Sequence, residues 1–280
     1  MNSLIFALLS VLATALLRIT LKHCAVSTTS PWTTLALYNI GGVLVLLPFL
    51  GLPSISEISG QQILLLVATG VFFSLGGFLD ILAMKHIDAS SGEVFHTLTF
   101  IVSVAAGFLM FHEACSLCKI AGILVIAAGI AYEARKAMAD PSRAFGLKLA
   151  SAALIASAMV ITKYLTTTTS PEVIIYAGFL LPGLMYIALG AKDLPEISSV
   201  ISSSNGRILL VPVLGAASYT FGVKALAAGE MSTTYIIFQS TISAVFALEL
   251  LLHGWKRDVS LHRAVSASLC MCGALIAILG

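Results

Sequence analysis

Charge is what this sequence has least of. Only 10% of its 280 residues are Asp, Glu, Lys or Arg, while 59% are hydrophobic; soluble domains carry about 25% charged residues. A single soluble core is thereby excluded, because most of the surface must face an apolar medium. The formal net charge of +2 comes without a basic run, which excludes nucleic acid as a partner. Met1 to Thr20 has neither a charged leading segment nor a small-residue cleavage site, so it reads as a retained span and not as a removed signal. The run His112 to Cys118 (HEACSLC) has no second Cys/His pair nearby, and zinc sites usually need four ligands in tetrahedral array. No metal site follows from it. There is no Gly-rich phosphate loop after a strand and no Ser-His-Asp order, so neither catalytic residues nor a cofactor are expected.

What is present is apolar helix. A spanning helix needs roughly 20 mostly apolar residues, and ten windows qualify: about 3–23, 32–50, 62–84, 92–111, 117–136, 145–164, 172–190, 208–228, 233–252 and 260–279. Short loops between them carry the breakers, among them Ser30-Pro31, Asp140-Pro141 and Ser170-Pro171. The expected fold class is all-α, a polytopic membrane protein of ten transmembrane helices.

The chain also repeats itself. TTSP at Thr28 to Pro31 recurs at Thr168 to Pro171, and ITLK after Arg18 is echoed by ITK at Ile161 to Lys163. AMKHIDASS, from Ala83, returns as ALAAGEMST, Ala225 to Thr233, and SLCKIAGILVIAAG, from Ser116, matches SLHRAVSASLCMCG, from Ser260. Each unit holds five windows, an odd number, so the second must enter the membrane with opposite orientation. The expected domains are therefore 1–139 and 140–280, two inverted five-helix repeats, and inverted repeats with a site at their interface are a transporter signature.

These motifs carry a resemblance. AMKHIDASS and ALAAGEMST after the third helix of each unit, FLMFHE closing the fourth helix, and the SLCKIAGILVIAAG helix resemble the EamA branch of the drug/metabolite transporter superfamily. The resemblance implies a ten-helix carrier of small metabolites without naming one. Two positions depart from the family pattern: Tyr38-Asn39 stand where helix 2 usually has Arg, and the second unit has Glu249 one turn before the usual terminal Glu.

Arg135, Lys136, Arg143, Lys148, Lys192, Arg207, Lys256, Arg257 and Arg263 were all assignable to loops after helices 5, 7 and 9. Positive loops stay cytoplasmic, which puts the termini outside, whereas the family picture has both in the cytoplasm.

Ionisable groups within apolar spans are functional candidates. Arg18 lies about one turn from the end of helix 1, Asp80 one turn from the end of helix 3, and His96 one turn into helix 4, so all three fall at similar depth. Glu93, His96, Thr97, Phe100, Ser103 and Gly107 share a helix face, as do Thr14, Arg18 and Lys22. A polar pocket results in which Asp80 or Glu93 balances Arg18 and His96 can change charge near neutral pH. Tyr235, Gln239, Ile242, Phe246 and Glu249 form the matching face of helix 9, while Tyr38, Asn39 and Tyr176 add hydrogen-bonding groups. The expected substrate-binding set is thus Arg18, Tyr38, Asn39, Asp80, Glu93, His96, Tyr176, Tyr235, Gln239 and Glu249. Snorkelling ends and interhelical glue are the competing accounts of these residues. Gly122, Gly129 and Gly273 read as close-packing positions in helices 5 and 10.

The function expected is secondary transport of a small polar metabolite, an amino acid or related compound, by alternating access, driven by protons or by exchange. The alternatives are a structural or assembly membrane protein, and an intramembrane enzyme for which His96 with Glu93 is the only candidate constellation. The partners expected are a small-molecule substrate and the lipid bilayer, with a homodimer left open. The expected location is the plasma (bacterial inner) membrane.

Overall fold

The computed structural model describes residues 2–27, 30–54, 58–86, 97–138, 143–193, 197–204, 206–253 and 261–279. Among these the regular elements are all helical: α1 (Asn2–Ser27), α2 (Pro31–Leu50), α3 (Gly60–Met84), α4 (Thr97–Met110), α5 (Leu117–Met138), α6 (Arg143–Leu165), α7 (Pro171–Leu189), the short α8 (Ile197–Ser203), α9 (Leu210–Ala228), α10 (Met231–Phe238), α11 (Ser240–His253) and α12 (Leu261–Leu279). A 3-10 turn, Arg207–Leu209, leads into α9.

The breakers act where the sequence put them. Pro31 and Pro171 sit at the first position of α2 and α7, where a missing N–H costs nothing. Ser30 caps α2 by accepting from Thr33 N, and Ser59 with Gln62 closes a capping box at the start of α3.

Among the described residues, seven stretches are long and apolar enough to cross a membrane: Asn2–Ala25, Pro31–Leu50, Gly60–Met84, Gly146–Leu165, Pro171–Leu189, Arg207–Ala228 and Met231–Leu252. Thr99–Met110, Leu117–Tyr132 and Ala264–Leu279 are shorter apolar helices. Burial is inverted relative to a soluble protein. Leu44, Phe49, Leu64, Leu109, Leu251 and Leu279 expose 62–82% of their surface, whereas Ser74, Asp80, Lys148, Ser151 and Thr162 expose 4% or less. An apolar exterior around a polar interior is stable only where the exterior meets lipid. The chain is an integral membrane protein.

α1 packs along α9 and α11, and α3 along α6 and α7; α2 packs on α7 and α9, α4 on α6 and α10. α5 pairs closely with α12, which in turn packs on α10 and α11. A Cβ on Gly122 would stand 2.4 Å from Gly273 O, and one on Gly129 would stand 2.9 Å from Leu269 Cβ, so the two backbones touch as the glycines suggested. Ser266 Oγ donates to Gly129 O across this seam at 2.9 Å.

Two expectations change here. Lys148, counted among the loop cations, lies within α6 and is fully buried. The span expected over 233–252 is interrupted: α10 ends at Phe238 and α11 starts at Ser240, with Gln239 between them. Ile242 N bonds to Gln239 O and Ser240 Oγ takes Ile237 O at 2.6 Å, a 3-10-like tightening within the span. Glu93 and His96, with most of the turn that precedes them, lie outside the described residues.

Candidate functional site

A cavity of about 280 Å³ opens where α1, α2, α3, α4, α6, α7, α9, α10 and α11 converge. Ligand pockets usually run from roughly 300 to 1,000 Å³, so its occupant must be small.

One end is charged. Asp80 is brought to α1 by the last turn but one of α3, and Arg18 Nη1 donates to its Oδ2 at 2.5 Å. Lys148, on the first half of α6, donates from Nζ to Asp80 Oδ1. One carboxylate therefore holds two cations from two different helices. Its side chain is 6% exposed and that of Lys148 0%, so these charges are tied by mutual attraction in a low-dielectric interior, where an isolated charge would be costly. Nearby, Ser151 Oγ donates to Gly76 O and Tyr186 Oη to Ser74 O at 2.7 Å. These bonds fasten α6 and α7 to the same stretch of α3.

The other end is neutral and aromatic. Phe179 meets Tyr38 and Tyr219 edge-on, with ring centroids 5.7 and 5.6 Å apart, and Phe73 meets Tyr219 the same way at 5.6 Å. Glycines make room for the rings: a Cβ on Gly215 would fall 1.9 Å from Tyr38 Cε2, and one on Gly178 2.5 Å from Tyr219 Cε1. The hydroxyls of Tyr219 and Tyr235 are buried without a well-formed hydrogen bond, and the hydroxyls of Thr162 and Ser103 lie beside them. Gln239, 7% exposed, presents its amide at the helix break. Asn39 donates from Nδ2 to Leu35 O at 2.8 Å. Between the two ends, Thr14 Oγ1 and Ser218 Oγ lie 2.6 Å apart and Ser10 Oγ donates to Ser218 O, knitting α1 to α9 along the cavity wall.

Of the expected binding residues, Arg18, Tyr38, Asn39, Asp80, Tyr235 and Gln239 line this one cavity, joined by Phe100 and Ile242 from the predicted faces. Tyr176 does not: it is buried among Val173, Ile174 and Ile175 in the core between α2, α7 and α9. Glu249 is half-buried on α11 and also lies off the cavity. Glu93 and His96 fall outside the described residues. Lys22, a candidate for snorkelling, donates from Nζ to Met84 O at 2.7 Å and so caps the C-terminus of α3. The sequence reading missed Lys148, Tyr186, Ser218 and Tyr219. Lys148 carried the signal that exposed Asp80, an ionisable group inside an apolar window.

Away from the cavity, a second polar cluster closes the turn between α9 and α10. Lys163 donates to Leu226 O and Gly229 O at 2.8 and 2.7 Å, capping α9 as Lys22 caps α3. Glu113, the last residue of FLMFHE, accepts from Met231 N and Ser232 N at 2.5 and 2.7 Å. A carboxylate at a helix N-terminus satisfies two of its orphan N–H groups and complements its dipole. Lys119 bridges to Glu230, and this bond holds the Glu230 carboxyl below its ordinary value against the opposing effect of burial.

Among curated proteins, none matches the sequence. A solved crystal structure of a protein aligns over 99% of this chain and 96% of its own at TM-score 0.72, with 17% identity; at that identity the likeness speaks for the fold alone. Residues 1–132 match the family model of the EamA-like transporter family. That segment holds α1 to α4, most of α5, and both Arg18 and Asp80. Through it, the resemblance seen in the motifs stands as a finding for that segment: residues 1–132 are similar to the EamA-like transporter family, within the drug/metabolite transporter superfamily.

Proposed function

We propose that this chain is a secondary transporter that moves a small polar metabolite, an amino acid or a compound of similar size, across the membrane by alternating access. In this reading its ten helices form two inverted five-helix units, 1–139 and 140–280. The observation that carries the reading is the cavity, a partly open and mostly apolar site with a few convergent polar groups inside an apolar bundle, walled by helices from both halves. The helix pairings support an exchange symmetry. α1 lies on α9 as α6 lies on α3, and α3 lies on α7 as α9 lies on α2. The paired lysine caps repeat the same relation. A break in a spanning helix beside the site, as at Gln239, is a feature of transporter folds.

Transport is driven by a pH gradient or by counter-exchange, and Asp80 is the proposed coupling group. Purified protein in liposomes should show saturable flux against a metabolite panel. Asp80→Asn should abolish accumulation driven by the gradient and spare downhill exchange. If transport per folded molecule keeps its pH dependence in that variant, Asp80 is only structural. If no solute moves and function survives removal of the intramembrane charges, the structural or assembly reading replaces the carrier. The cationic loops on the side where α1, α3 and α5 end favour termini outside a plasma (bacterial inner) membrane; a reporter after Gly280 should then read non-cytoplasmic.

A further inference from the structure

The transporter reading leaves the solute unnamed, and the cavity's neutral wall narrows it. The geometry points to a planar, uncharged heterocycle, bearing a ring carbonyl or ring nitrogen, as the ligand of Tyr219, Tyr235 and Gln239. This inference rests on the reading that the cavity is the transport site.

Three observations carry it. First, Tyr235 is 4% exposed, lines the cavity, and its hydroxyl has no hydrogen-bond partner; the Tyr219 hydroxyl is buried on the same terms. A buried phenol left unbonded is destabilising, and a ligand oxygen or ring nitrogen accepting its proton removes that cost. The hydroxyls of Thr162 and Ser103 lie beside Tyr219 and Tyr235 without closing a well-formed bond to them, so a ligand acceptor would compete with these two for the phenol protons. Second, both phenols sit among aromatic rings that line the cavity: Phe73 and Phe179 meet Tyr219 edge to face, and Phe238 meets Tyr235 the same way. Aromatic walls hold a flat ring by stacking without asking for charge. Third, the cavity's small volume suits one ring system better than a long chain.

The charged end explains why the ring is the recognised part. Asp80 is already bonded by both Arg18 and Lys148, so an incoming ammonium would meet a carboxylate whose two oxygens are engaged. Gln239 offers an amide that both donates and accepts, matching the alternating edge of an amide-like heterocycle.

The test uses the full chain, purified in detergent and in liposomes. The probes are uracil, hypoxanthine and nicotinamide as planar neutral heterocycles, with phenylalanine as a zwitterion carrying a purely apolar ring. At least one heterocycle should bind, read by isothermal titration. Tyr235→Phe should weaken it about tenfold, and Tyr219→Phe should act in the same direction. Binding of phenylalanine alone overturns the inference, and so does binding by none of the heterocycles. Heterocycle binding that both Phe variants leave unchanged overturns it equally, since Tyr235 then bonds within the protein. A heterocycle that binds through these tyrosines but does not cross the bilayer upholds the ligand class and defeats the carrier reading instead. Unfolding curves for each variant keep a loss of fold from passing as a loss of affinity.

Discussion

The two ends of the cavity hold polar groups under opposite conditions. At one, Arg18 and Lys148 each donate to the Asp80 carboxylate, tying α1, α3 and α6 together. At the other, the hydroxyls of Tyr219 and Tyr235 are buried and bonded to nothing. A closed ionic network holds the bundle together and resists loss of any member. Isolated hydroxyls add little to the fold and are available to a guest. Neither burial nor an unbonded hydroxyl marks a binding site by itself, since Tyr176 Oη is equally unbonded off the cavity; the unbonded group must also face the cavity, as Tyr219 and Tyr235 do.

The comparison breaks most visibly at Lys148. Removing one member of a buried ion network leaves the others uncompensated, at a cost of about 3–5 kcal/mol. Lys148→Met should lower unfolding stability in detergent by that order, and a variant as stable as the parent would show that Asp80 is content with Arg18 alone. Gly215→Ala comes next. Its Cβ would fall 1.9 Å from Tyr38 Cε2, and overpacking of this kind costs about 1–3 kcal/mol. The displaced ring belongs to the cavity wall, so ligand affinity should fall along with stability.

Much of this was legible in the sequence, and the failures have physical reasons. TTSP marked the starts of α2 and α7 because its proline fixes φ at the first position of both, while its serine caps α2. Arg18 and Asp80 could be matched because each lies one turn from the end of its helix, so depth followed from counting. Lys148 escaped because it lies five residues after the start of α6, and the count depends on where the membrane boundary falls. Tyr176 and Phe179 stand three apart on α7, yet only Phe179 reaches the cavity. Which part of an apolar helix face looks inward is set by the neighbours, and periodicity cannot resolve it when every face is apolar.

The smaller effects sharpen the contrast. Lys119 and Glu230 form an exposed pair, with the Glu230 side chain 45% accessible, and serve as the counterpart of the buried network. The Lys119 hydrogen bond, opposed by burial, holds the Glu230 carboxyl below its ordinary 4.5. Its stabilisation is therefore present above that pH and lost as pH falls through the lowered folded value. Exposed pairs contribute about 0–1 kcal/mol, so Lys119→Gln should flatten the acid limb of a stability-versus-pH curve by no more than that. Tyr235→Phe should change stability least. Removing an unbonded buried hydroxyl relieves its desolvation cost and is neutral to stabilising, whereas a loss above about 1 kcal/mol in ligand-free unfolding would reveal a bond to Ser103 and erase the difference between the ends.

The three-membered network also has a history in time, because its parts leave the ribosome one after another. Arg18 precedes Asp80 by 62 residues, and Lys148 follows Asp80 by 68. At synthesis rates of about 5–20 residues per second, Lys148 emerges some ~3–14 s after Asp80. During that interval α3 must reside in the bilayer with Arg18 as the cation available from this trio. The order of the genes' codons thus supplies each charge with a companion on arrival: the carboxylate finds a cation already waiting, and the last lysine is delivered to a carboxylate in place. Were α1 and α6 exchanged in the chain, the same contacts would close in the finished protein, but Lys148 and not Arg18 would be the escort for α3 during insertion.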